Sequence, residues 1–264
     1  MNEPSRTTQA QVTPDKSNAH AYRQRIYAGY VSQFIGYKAQ LHSPRAYHIW
    51  SAATNSRIRG WLPTDRTLPV LDLGCGPGYL LKMLEDLGIT DVTGVDLSAE
   101  QLALARDRCQ HAVILQADML QVLADHPAQY ELITAFSVLE HLDKNELFSF
   151  LELVIAALRP GGRFIIQTIN AENPWSLALL YGDLTHETAF TPGSLAVAFR
   201  AVGFVEYQAR GCPPHVHSVF SLLRKLLWPI FSAAILMESL VETGGVGSAI
   251  ATRDFVACAI KPRE

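Results

Sequence analysis

The chain has 264 residues, 48% of them apolar, which is room and core material for one α/β domain with additions. Its formal charge of −3 lacks the net basic footprint of a nucleic-acid binder, so no nucleic acid is expected as a partner. Cys75, Cys109, Cys212 and Cys258 form no C-x-x-C pair, which disfavours a disulfide framework or zinc site and fits a reducing, cytoplasmic setting.

Residues 1–20 contain no apolar run of the kind a secretory signal needs and read as a disordered tail. Residues 21–264 read as one domain. From Ala21 to about Leu62 the pattern is helical, with Tyr22, Ile26, Tyr30 and Phe34 at a spacing of four, and predicts an N-terminal helical cap over 21–62. From Pro69 the pattern changes to short apolar runs separated by helical stretches. Strands are predicted at 69–73, 91–95, 112–116, 131–136 and 163–169, with helices over 78–88, 98–109 and 143–158. Unalternated apolar strands separated by helices indicate a parallel sheet covered on both faces.

Beyond Ile169 the stretch 170–193 is irregular and rich in aromatic and polar residues, and it reads as a loop on the acceptor side of a site. A helix at 194–202 and a strand at 204–209 follow, with Thr191-Pro192-Gly193-Ser194 as the helix start. An insertion at 211–247 precedes a last strand at 253–260. Within it, Val216–Val241 is apolar around most of its helical circumference except near Arg224–Lys225 and Glu238. Its longest apolar run, Leu226–Met237, contains Pro229 and falls short of the about 20 residues that a membrane span requires. Three readings stay open: a flap over the acceptor pocket, an interfacial helix making peripheral contact with a membrane or lipid-linked acceptor, and a homodimer contact. The flap is the expected one.

The segment Val70-Leu71-Asp72-Leu73-Gly74-Cys75-Gly76-Pro77-Gly78 ends a buried strand and opens a helix. Glycines there let the backbone turn sharply against a ligand at the carboxyl edge of the sheet. Tyr79 stands where a dinucleotide fingerprint needs its third glycine, and no G-K-[ST] follows, so neither a dinucleotide turn nor a phosphate loop fits. Asp96, at the tip of the next strand in Gly94-Val95-Asp96-Leu97-Ser98, can accept both hydroxyls of a ribose. Asp118, at the end of the third strand, can meet the exocyclic amine of an adenine, with Met119 against the ring.

VLDLGCGPG, GVDLS, QADM, FSVLEHL and LRPGGRFII resemble, in order and spacing, the successive motifs of class I S-adenosylmethionine-dependent methyltransferases, over about residues 69–169. The resemblance implies a Rossmann-like α/β fold with a seven-stranded, mostly parallel sheet of order 3-2-1-4-5-7-6 whose last strand is antiparallel. It implies S-adenosyl-L-methionine as cofactor, with Asp72, Gly74 and Gly76 at the methionine end, Asp96 at the ribose and Asp118–Met119 at the adenine. Cys75, Gly78, Leu97 and Ser137 complete the expected cofactor contacts.

Methyl transfer to oxygen or nitrogen releases a proton, so the loops over the fourth and fifth strands are searched for a base or metal. Ser137-Val138-Leu139-Glu140-His141 resembles the metal-binding E-x-x-E-H motif of ubiquinone-pathway O-methyltransferases and plant small-RNA 2′-O-methyltransferases, with Ser137 in place of the first acid. No metal is therefore expected, and Glu140 is expected to cap the next helix while His141 packs beside the cofactor. The run Asp183-Leu184-Thr185-His186-Glu187, continuing to Phe190-Thr191-Pro192, resembles methyltransferases encoded with bacterial glycan biosynthesis. His186 and Glu187, with His141, are the candidate catalytic residues. The expected function is O-methylation of a glycan, a lipid-linked precursor or another hydroxylated small molecule. N- or C-methylation, and a non-catalytic partner subunit that retains the fold, are the rivals.

Overall fold

The structure is a computed structural model that describes residues 21–27, 29 and 43–264. The tail at 1–20 and the helical positions Tyr30 and Phe34 lie outside the described residues. The predicted cap resolves into two helices, α1 (Ala21–Tyr27) and α2 (Pro44–Ile58). Ser43 starts α2 by accepting the Ala46 N–H, and Pro44 occupies its first turn, where a missing N–H costs nothing.

The remaining elements alternate as β1 (Val70–Leu73), α3 (Tyr79–Asp86), β2 (Val92–Asp96), α4 (Ala99–Arg108), β3 (Val113–Gln116), α5 (Met119–Asp125), β4 (Tyr130–Phe136), α6 (Lys144–Ala157) and β5 (Leu158–Ile169). After them come α7 (Leu177–Leu180), α8 (Pro192–Ala201), β6 (Val205–Gly211), α9 (Val219–Thr243) and β7 (Asp254–Ile260). The seven strands form one sheet of order β3-β2-β1-β4-β5-β7-β6. β1 to β5 pair in parallel, and β7 runs antiparallel to both β5 and β6. This is the expected Rossmann-like topology.

Two differences have local causes. The helix α5 went unpredicted because it spans two turns and buries only Val122 and Leu123, too short for a periodic signal. β5 starts at Leu158 rather than 163 because Arg159-Pro160-Gly161-Gly162 follows the strand path through a register shift against β4.

Both faces of the sheet are covered. On one, Phe164 of β5 packs against Phe150 of α6, Phe199 of α8 and Phe204, with ring centroids 5.6 to 6.1 Å from it. On the other, Leu81 and Leu84 of α3, Leu102 of α4 and Ile58 of α2 cover Val70, Leu132 and Ile165. Each fully buried side chain of this kind contributes about 1.5–3 kcal/mol. β1 is buried along its whole length, so its carboxyl end opens into a site at the centre of the sheet.

The insertion departs from expectation. α9 is one continuous 25-residue helix that passes through Pro229, and by length and composition it could cross a membrane. Pro229 removes one N–H from the helical ladder without ending the helix. Ser221 and Ile235 are its buried residues.

Candidate functional site

The glycine turn between β1 and α3 owes its shape to left-handed backbone at Gly74, with φ of 63°, and at Gly78, with φ of 76°. A Cβ on Gly74 would stand 2.6 Å from Val138 Cγ2, so a side chain there would displace the loop after β4. Gly78 serves the fold instead of the site. It does not line the cavity, and a Cβ there would meet Ala105 Cα and Cβ at 3.0 Å, so its role is close approach of α3 to α4.

The turn borders a cavity of about 1110 Å³ at the carboxyl ends of β1 to β5. Among the cofactor residues expected from sequence, Asp72, Gly74, Cys75, Gly76, Asp96, Leu97, Asp118, Met119 and Ser137 all line it. The Asp96 carboxylate is aimed by two backbone donors: Gly76 N–H reaches Oδ2 at 2.9 Å and Ser98 N–H reaches Oδ1 at 2.8 Å. Burial raises its pKa while those donors pull it down. Asp118 caps α5 by accepting the Leu120 N–H at 2.8 Å, which holds it at the cavity edge. Asp72 is buried and accepts the Thr134 hydroxyl at 2.7 Å. Burial pushes its pKa up to about 7, with the nearby Asp96 charge adding to the rise.

Glu140 is also fully buried, and its Oε2 accepts the Thr168 hydroxyl at 2.9 Å. Burial lifts its pKa to about 7 against the pull of its hydrogen-bond donors. It does not cap α6, as the sequence suggested. Asp143 does, with Glu146 closing the reciprocal capping box, because Asp143 stands at the first non-helical position and Glu140 lies a turn earlier on a short 3-10 segment.

The acceptor-side segment docks on that same turn. Glu187 N–H and Thr188 N–H donate to the Glu140 carbonyl at 2.7 and 3.1 Å. This brings His186 beside His141, their rings 4.6 Å apart, with both lining the cavity. Their tautomers follow from their partners. His186 Nδ1 faces the Leu179 carbonyl at 3.0 Å, and a carbonyl can only accept, so Nδ1 carries the proton. His141 Nδ1 lies 2.9 Å from Thr185 Oγ1 and 3.2 Å from the Thr185 carbonyl. The Thr185 hydroxyl donates to Asp183 Oδ1 at 2.7 Å, so it too can only accept from His141. In both rings Nε2 is the basic nitrogen. Burial, and then the neighbouring His186, lowers the His141 pKa to about 4, which keeps that ring neutral near pH 7.

Glu187 is not the partner of His186. It accepts from Tyr22 and pairs with Arg23 at 3.3 Å, and it does not line the cavity. Arg23 also reaches both oxygens of Glu146 at 2.9 Å, so α1 is fastened over the site by ion pairs. Four side chains were not singled out from sequence. Arg23 and Tyr27 arrive with α1. Asp183 and Thr185 stood in the D-x-T-H-E run, whose spacing was the available signal, but the chain they form with His141 exists only in the folded loop.

Seven acids line the cavity against one arginine, Arg23, among the described residues. With Asp72 and Glu140 lifted to about 7 and Glu146 paired with Arg23, the remaining acids still leave a lining that suits a ligand bearing positive charge and opposes a dinucleotide's phosphates. Within α9, no residue lines the cavity, which corrects the flap reading: the helix lies apart from the pocket it was expected to cover.

A family model described as a methyltransferase domain matches residues 38–208. The chain is 35% identical over 117 residues to a ubiquinone biosynthesis O-methyltransferase of Klebsiella pneumoniae subsp. pneumoniae, covering 42% of this chain and 47% of that protein. It is 30% identical over 152 residues to the protein of the same name from Aeromonas salmonicida, covering 52% and 62%. The chain thus spans about half to three fifths of the length of these curated relatives. Among solved structures, a SAM-dependent methyltransferase from Archaeoglobus fulgidus superposes with a TM-score of 0.60 at 19% identity, over 80% of this chain and 94% of that one. A Haemonchus contortus phosphoethanolamine N-methyltransferase 2 superposes at 0.57 and 16% identity, over 89% and 60%. At these identities the structural likeness is one of fold.

Proposed function

The chain belongs to the methyltransferase-domain family, with S-adenosylmethionine as cofactor, and we propose that it methylates a hydroxyl of a small-molecule acceptor. The observation that carries this reading is the pair of cavity-lining imidazoles whose Nδ1 nitrogens are both engaged as donors, which leaves Nε2 of each as a proton acceptor. A hydroxyl needs such a group, because it loses its proton as its oxygen is alkylated.

The chain's residues fit the cofactor. The oriented Asp96 carboxylate suits a ribose diol, and Asp118 and Met119 offer a polar edge and an apolar face for adenine. The acidic cavity suits a cation, and its about 1110 Å³ admits cofactor and acceptor together. When bound, the cofactor supplies an electrophilic sulfonium methyl. In the proposed step His186 Nε2 would take the proton that the acceptor hydroxyl gives up, while the methyl carbon's bond to sulfur breaks as its bond to oxygen forms and the neutral thioether leaves. His141, oriented by Thr185 and Asp183 and kept neutral by burial and the neighbouring His186, lies beside it and adds no competing positive charge. Arg23, through its ion pairs to Glu146 and Glu187, holds α1 against the cavity.

The test is labelled methyl transfer from S-adenosylmethionine onto hydroxylated quinone precursors, glycans and lipid-linked precursors, with the product's methyl located by NMR. Methylation on oxygen, lost in His186→Ala with cofactor binding intact, supports the reading. Methyl found on nitrogen or carbon overturns it. Cofactor binding without turnover on any class assigns the chain to the supporting-subunit role.

A further inference from the structure

The methyl-transfer reading does not use α9. On a helix advancing about 100° per residue, the least exposed residues of α9, Ser221, Trp228, Ser232, Ile235, Leu236 and Ser239, share an arc of roughly 100° turned toward the protein. Across from it, an arc of roughly 140° running from Leu222 and Leu240 round to Leu227 carries no charge. That arc is solvent-facing: Leu226 and Ile230 are each 66% exposed and Val241 is 79% exposed. Glu238 falls about 20° beyond one edge, and Arg224, Glu242 and Lys225 lie on the two flanks, about 60° beyond the edges. The amphipathicity is therefore reversed relative to a helix packed on a core, since the apolar side faces away from the protein.

Three observations choose the occupant. First, the arc is wider than the narrow seam that a partner helix covers, and Phe220 and Phe231, 71% and 61% exposed, add apolar surface on its Glu238 side. Hydrocarbon can cover it all. Second, the charge pattern suits an anionic surface. No acid occurs between Glu206 and Glu238, whereas Arg224 and Lys225 stand exposed on the flanks of the arc. Third, the irregular segment before α8 that carries Asp183 and His186 also exposes Trp175, Leu177, Tyr181 and Leu184, the last by 81%. The chain leaving α9 is tied to that segment: Ser248 donates to Glu172, and the Asn170 and Asn173 amides donate to the carbonyls of Ile250, Ala251 and Thr252.

We propose that α9 lies flat in the interface of an anionic phospholipid bilayer, its apolar arc in the acyl boundary and Arg224 and Lys225 at headgroup level. A flat position also accounts for the inward stripe, which a membrane-spanning helix would strip from the protein, and for Arg224 and Lys225, which spanning would place inside the hydrocarbon.

The test is flotation of the full chain with vesicles of phosphatidylcholine alone and of phosphatidylcholine mixed with phosphatidylglycerol, a readout independent of methyl transfer. The wild type is expected to float with the mixed vesicles. The double variant Leu226→Glu/Ile230→Glu should weaken vesicle affinity at least about tenfold. Arg224→Glu/Lys225→Glu should lose the preference for anionic vesicles by a similar factor. Both pairs are exposed and outside the cavity, so an unchanged circular dichroism spectrum and S-adenosylmethionine affinity establish that the variants are folded. No flotation of the wild type, or equal flotation of the variants, overturns the proposal. So does a dimer in sedimentation equilibrium that Leu226→Glu/Ile230→Glu dissociates while vesicles leave it intact. Resistance to alkaline carbonate extraction would replace the flat helix with a spanning one.

Discussion

Glu140→Gln isolates the cost of the buried carboxylate beneath the two histidines. In the folded protein the Glu140 carboxyl is pushed up to about 7 from the ordinary 4.5 by burial. A carboxyl whose pKa is raised on folding binds more protons in the native state than in the unfolded chain between those two values. Its contribution to stability is therefore complete below about pH 4.5 and is lost as pH rises through about 7. The gap corresponds to about 3 kcal/mol in full, most of which falls between about pH 5 and 8. Glutamine keeps the shape and can still accept the Thr168 hydroxyl, but it does not titrate. Urea unfolding of both proteins at a series of pH values should show the variant gaining about 2–3 kcal/mol on the wild type from about pH 5 to 8. Taking the difference removes the similar contribution of Asp72, which both proteins retain. Parallel stability curves would refute the reasoning, because they would mean that Glu140 ionises in the fold as readily as in the unfolded chain.

Asp96→Ala should weaken S-adenosylmethionine binding by on the order of 1.5–3 kcal/mol, read by calorimetry; unchanged affinity in the folded variant would remove Asp96 from the site. His186→Ala should lower turnover about 10²–10⁴-fold with little change in cofactor affinity, and equal loss of both would mark His186 as structural. Thr185→Val cuts the Asp183–Thr185–His141 chain and should reduce turnover up to about tenfold while leaving cofactor affinity alone; a parallel fall in thermal stability and affinity would assign Thr185 to folding. Gly78→Ala should lower stability by about 1–3 kcal/mol in denaturant titration, from left-handed strain plus the 3.0 Å approach to Ala105.

Periodicity placed most of the strands in the sequence, and the resemblance of the motifs to a known family implied their order in the sheet. Strands such as Asp254–Ile260, apolar at every position from Phe255 onward, lack alternation because both faces are covered, and that pattern is local. So are the turn glycines and the strand-end acids, which is why Asp72, Asp96 and Asp118 were legible at the rim of the cavity before any fold was known. Tertiary structure alone decided three things. Glu187 and His186 are neighbours in sequence, yet one pairs with Arg23 some 160 residues away and the other turns to Leu179. The Asp183–Thr185–His141 chain joins residues more than 40 apart across the docked loop. The orientation of α9 is the third: its composition permits burial, a partner or lipid, and only the packing of its Ser221–Ile235 side against the protein shows that the apolar side is the outer one. Apolar periodicity records that a face avoids water, but what covers that face depends on contacts far away along the chain.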